Sequence, residues 1–104
     1  MAPIIKISKE EAQRRLSDVG GDRAFWCSDG SIIRSMRELE KALKKMRDET
    51  FSTHSNAEKK DFSNWVNDVI GDDKLARDLA KAKDKQQAAK CVSARIEFLS
   101  SKMA

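Results

Sequence analysis

The sequence predicts a mainly α fold, a compact bundle of five to six short helices with room for a small β-hairpin near Asp29-Gly30. Three observations carry this. Helix breakers are scarce: one proline, Pro3, and four glycines in 104 residues. Helix-starting signals recur along the chain, each followed by apolar residues at helical spacing. One stretch, residues 51–79, contains both a helix face and its stop, and the other segments read as its cover.

In that stretch Phe62, Trp65, Val66, Val69 and Ile70 recur at i, i+3, i+4, i+7 and i+8, which is one aromatic-rich face of a helix. Asp61 is read as its N-cap, and Gly71 as the left-handed residue that ends it. Asp72 or Asp73 then caps the next helix, which turns Leu75, Leu79 and Ala82 inward. The expected core is therefore centred on Phe62, Trp65, Val69 and Leu79, with Ile96 contributed by the last helix.

The remaining elements follow in order. Ile4, Ile5 and Ile7 form a short apolar lead, expected to be extended or partly flexible over residues 1–7. Ser8 with Glu11 fits a capping box, so a first helix is expected over 9–19, burying Ala12, Leu16 and Val19. Gly20-Gly21 stops it. Two short apolar runs, 24–27 and 32–33, flank Asp29-Gly30, a dipeptide suited to a tight turn; they form either a hairpin or an extended loop. Ser35 with Glu38 is a second capping box and opens a helix over 36–47 that buries Met36, Leu39, Leu43 and Met46. Asp48 caps a short helical piece reaching Phe51 and His54, and 55–60 reads as a mobile loop. Asp84 with Gln87 opens a final helix to about residue 102, whose broad apolar arc suggests neighbours on nearly all sides. Arg95 projects into that arc, so an ion pair with Asp29, Asp61 or Asp68 is expected.

One domain spans residues 1–104, since a chain this long supports a single core. Hydrophobic residues make up 39% and charged residues 37%, so folding requires the apolar residues to be concentrated on helix faces. No apolar run approaches the ~20 residues of a membrane span. Two cysteines, Cys27 and Cys91, stand far apart and form no metal or redox motif, which points to a cytoplasmic protein with buried thiols. A net charge of +4, from 21 basic and 17 acidic residues, raises the case for nucleic acid only modestly.

The residues of FWCSDG (25–30), SMRELEKAL (35–43), Phe51, His54 and DFSNWVNDVIGDDKLARDL (61–79) resemble a small uncharacterised domain family, mainly archaeal. Its members share an aromatic before an Asp-Gly turn, a Leu-rich helix, a Phe and His pair, and an Asp-Phe-x-x-Trp helix. The likeness covers most of the chain after Ala24. It implies that His54, Asp61 and Trp65 belong to a common framework, and it implies no activity.

Catalysis is not expected. His54 is the only histidine, neither cysteine has a basic partner nearby in sequence, and the glycines form no phosphate-cradling loop. No metal, cofactor or small-molecule ligand follows from any spacing. His54 is read as packing beside Trp65 or Phe62 and bonding to the Asp61 end of the helix. The function expected is a non-catalytic interaction module, contacting an unidentified protein partner through Trp26 and the surface at His54. The alternative is weak nucleic-acid binding through Arg34, Arg37, Lys41, Lys44 and Lys45, the basic stripe of helix 36–47.

Overall fold

A computed structural model of the chain describes residues 7–103. The apolar lead at Ile4 and Ile5 lies outside them. Six helices and a two-stranded antiparallel ribbon make up the described residues. In order they are α1 (Lys9–Leu16), a single 3-10 turn (Gly21–Arg23), β1 (Phe25–Trp26), β2 (Ile32–Ile33), α2 (Met36–Lys45) and α3 (Asp48–His54). Then come α4 (Asp61–Trp65), continued by a π-helical turn (Val66–Ile70), α5 (Asp73–Lys81) and the long α6 (Lys85–Ser101). None of these helices is long and apolar enough to cross a membrane.

Each of the three capping boxes read from the sequence starts a helix. The Ser8, Ser35 and Asp84 side chains accept from the N–H groups of Glu11, Glu38 and Gln87. The reciprocal half of each box is displaced. Glu38 and Gln87 accept from the N–H groups of Arg34 and Lys83, one residue before the cap, while Glu11 turns sideways to Arg14 and Arg15. Helix α1 ends at Leu16, three residues sooner than expected. Ser17 is already extended and its hydroxyl donates to the Gln13 carbonyl, a local bond that competes with another helical turn. The Val19 N–H is satisfied instead by the Arg34 carbonyl, at 2.7 Å.

The ribbon forms with Phe25 opposite Ile33 and Trp26 opposite Ile32. Its tip is closed by Gly30 N–H donating to the Cys27 carbonyl, with Gly30 at φ 93°. A left-handed residue after the turn suits the twist of the strands, and glycine takes it without a Cβ clash.

The core lies among α2, α4, α5 and α6, with α1 covering one end. Ala12, Ile33, Met36, Leu39, Leu43, Phe62, Trp65, Val66, Leu75, Leu79, Val92 and Leu99 are among its buried members. Val69 and Ile96 sit half-buried at its margin. The π turn explains Val69: widening the helix after Trp65 rotates later residues off the α-helical face, so Ile70 is buried and Val69 is not. The apolar arc of α6 is less enclosed than its sequence suggests. Phe98 is 40% exposed, with the Arg95 guanidinium and the Lys102 ammonium over its ring.

Asp72 joins these helices. It is fully buried, it caps α5 through the Leu75 N–H at 2.8 Å, and both of its oxygens lie within 3.1 Å of Arg95 Nε. Arg15 of α1 adds a further bond at 3.0 Å, and Glu11 in turn holds Arg15 at 2.9 Å. The expected partners Asp29, Asp61 and Asp68 are thus replaced by Asp72. A residue recognised as a cap also carries the buried ion pair, because a carboxylate has acceptor sites to spare after one cap bond. Burial opposes the charge on Asp72, but the Leu75 N–H and the two guanidiniums together lower its pKa. Glu11, gripped by Arg14 and Arg15, is lowered from 4.5 to about 2.

Removing one member of a buried pair costs on the order of 3–5 kcal/mol, because the other charge is left desolvated. Asp72→Asn, which keeps a capping oxygen and loses the charge, is therefore expected to lower unfolding free energy by about 3 kcal/mol in denaturant titrations. Both carboxylates have folded-state pKa values below their unfolded ones. Their contribution is complete above the ordinary carboxylate range, at about pH 5, and drains away as pH falls towards about 2. Melting curves across that window are expected to show the loss, and a shallower acid limb in Asp72→Asn.

Candidate functional site

The aromatic face of α4 is the base of the site. Phe62 is stacked between Phe25 at 5.0 Å and Phe51 at 5.8 Å, and Trp65 meets the edge of Phe25 at 6.1 Å. The Trp65 indole N–H donates to the Arg23 carbonyl at 2.9 Å, tying α4 to the segment entering the ribbon. Alternation along β1 then sends the next side chain outward. Trp26 is 68% exposed while Phe25 is packed against the core.

His54, at the end of α3, pins the other end of the ribbon. Its ring packs edge-on to Phe25 at 5.1 Å and lies 5.5 Å from Phe62. Nε2 accepts from the Ser28 N–H at 3.0 Å, so that nitrogen carries a lone pair. Nδ1 lies 3.0 Å from Asp61 Oδ2 and therefore carries the proton. These partners assign the neutral Nδ1–H tautomer. Asp61 was expected to be an N-cap. It is instead the first residue of α4, and its carboxylate takes His54 and Lys59 rather than the helix N–H groups.

The loop after His54 adjoins the ribbon tip through the same residue. A bridge between Ser55 and Lys60 closes it. Inside, the Asn56 side-chain oxygen accepts from the N–H groups of Glu58 and Lys59, and its amide donates to the Ser52 carbonyl. The loop read over 55–60 is a turn closed by its own hydrogen bonds. Trp26 thus stands on a ribbon held from inside by Phe25 and at its tip by His54.

His54 itself is 8% exposed with both nitrogens engaged, so it shapes this surface from beneath and Trp26 is the side chain that reaches solvent. Burial raises the pKa of the Cys27 and Cys91 thiols, the direction that disfavours a nucleophilic thiolate. Among the described residues, no group of three His, Cys, Asp or Glu side chains comes together as metal ligands would.

The basic residues of the stripe belong to α2 and the residue just after the ribbon. Arg34, Arg37, Lys41, Lys44 and Lys45 are all exposed along and before α2. The Arg37 guanidinium donates to the Ser100 hydroxyl of α6 at 3.3 Å, and Lys44 lies 3.4 Å from Glu40. Sequence reasoning missed that α6 adds Lys85 and Lys90 beside Lys44. A signal was present: 86, 89, 90 and 93 share one helical face at i, i+3, i+4 and i+7, polar except at Ala89.

The fold defines a class, a six-helix domain carrying one exposed aromatic ribbon. Compared with protein-family models, curated proteins and solved structures, the chain matches none.

The His54 assignment is checked by long-range proton–nitrogen NMR, which is expected to show a protonated Nδ1 and a bare Nε2 at neutral pH. His54→Ala removes both the acceptor of the Ser28 N–H and the ring packed against Phe25 and Phe62, at an expected cost of about 1–3 kcal/mol read in denaturant titrations.

Proposed function

We propose that the chain is a non-catalytic, cytoplasmic interaction module that engages a protein partner through Trp26 and the turn following His54. The observation that carries this reading is an indole 68% exposed on a ribbon fixed from within. A tryptophan in water serves no packing purpose, and its neighbour in sequence shows that the ribbon had an inward position available. Aromatic anchors of this kind dominate binding energy at interfaces, typically contributing about 2 kcal/mol or more when truncated. Rigidity adds to it. The hydrogen bond from Ser28 to His54 and the stacking of Phe25 reduce the ordering cost that a free loop would carry on binding. Opposite Trp26 in the ribbon, Ile32 is half-buried and adds apolar surface on the same face. The partner expected is one offering an apolar cleft for an indole.

The test uses quantitative affinity capture from the native host with wild-type protein and Trp26→Ala. The variant is expected to keep its fold, with unfolding free energy within about 0.5 kcal/mol of wild type, as for other exposed positions. A protein enriched by wild type and lost with Trp26→Ala, then reconstituted from purified components, supports the reading. Identical capture by both proteins contradicts it.

A further inference from the structure

The seam between α2 and α6 holds a groove of about 360 Å³ lined by Lys44, Lys85 and Lys90. Gln86 and Ser93 add polar groups, Leu43 and Ala89 line it with apolar surface, and among the described residues no carboxylate lines it. The two helices run antiparallel there. Arg37 near the start of α2 meets Ser100 near the end of α6, while Met46 just past α2 accepts from the Lys85 ammonium at the start of α6. Cations therefore continue from the groove along the seam. Arg37, Lys41 and Lys44 follow one another at i, i+4 and i+7, about 10 Å along the helix axis at 1.5 Å per residue.

We propose that this groove binds the phosphate backbone of a single nucleic-acid strand. A line of separate ammonium groups suits a repeating anion better than a single one. Specific recognition of one phosphate group favours converging guanidiniums, and only Arg37 lies along this line. The apolar lining provides a surface for sugar edges between phosphates. Among the described residues no aromatic side chain lines the groove, so binding is electrostatic and indifferent to sequence, without the stacking that strengthens many single-strand sites. Glu40 at Lys44 and Asp48 at Lys85, together with exposed Glu97 on α6, offset part of the charge and keep the affinity modest. This surface is distinct from Trp26 and its test does not depend on that residue.

The probe is a labelled single-stranded oligonucleotide of mixed sequence, followed by fluorescence anisotropy at increasing salt. About three phosphate contacts are expected to give a log–log salt slope of about −2. Lys44→Glu with Lys90→Glu is expected to weaken binding by about tenfold or more and to flatten the slope. The milder pair Lys44→Gln with Lys90→Gln gives the same direction if the first variant folds poorly. A control with equal charge change on α5, Arg77→Glu with Lys81→Glu, is expected to bind nearly as wild type does, and so is Trp26→Ala. Absence of binding at low ionic strength overturns the proposal, as does equal weakening by the α5 control, which would mean net charge alone. Binding to anionic lipid vesicles as tight as to the oligonucleotide also overturns it.

Discussion

The carboxylate of Asp72 lies where α1, α5 and α6 meet, with no exposure to solvent, and its position is set by the helix before it. The π turn after Trp65 ends at Gly71, whose φ of 80° is left-handed, and the Val66 carbonyl accepts from the N–H groups of both Gly71 and Asp72. That turn swings Asp72 inward. A bare carboxylate there would cost several kcal/mol in lost hydration, so the site is stable only with its donors in place. The Leu75 N–H comes from the helix that Asp72 itself starts, and Arg15 and Arg95 come from sequence positions 57 and 23 residues away. One desolvated charge therefore fixes the relative placement of three helices. Apolar packing, which is non-directional, would specify it less sharply.

From that junction the order passes to the surface. Ser63 on α4 donates to the Ala76 carbonyl on α5, so the two helices around Asp72 are held together and the aromatic face of α4 has a fixed orientation. Phe62 and Trp65 on that face receive Phe25, and His54 completes the ring of aromatics while reaching both Asp61 and Ser28. Trp26 is the outward end of this chain of contacts. An exposed indole on a ribbon of two-residue strands would be poorly ordered by itself, since isolated hairpins are marginal in water. Here its backbone inherits the rigidity of the core.

The parts of this arrangement that were legible in the sequence are those written in local spacing. Ser8, Ser35, Asp72 and Asp84 cap helices as their neighbours suggest, Gly71 ends one, and Gly30 turns the ribbon. The need of Arg95 for an acid was legible too, since a guanidinium within an apolar arc requires one. Its choice of Asp72 was not, because pairing over 23 residues leaves no periodic trace. Arg15 escaped notice for the same reason, looking like any arginine on a charged helix. The contact of His54 with Asp61 and Phe62 was legible, but the failure of Asp61 to cap was not: a carboxylate before an apolar run has the appearance of a cap, while here it is spent on the histidine seven residues back. Of the candidate surfaces, alternation along a strand requires one of Phe25 and Trp26 to face outward without saying which, and it is Trp26 that does. The groove required knowing that α2 and α6 are neighbours, which no single helix reveals.

Asp72 and Arg95 act as one unit in stability. A double-mutant cycle with Asp72→Asn and Arg95→Met, measured by denaturant unfolding, tests it most directly. The double variant is expected to lose less than the sum of the singles, with a coupling of at least about 1 kcal/mol, because neither charge is left alone. Additivity within about 0.5 kcal/mol would contradict it.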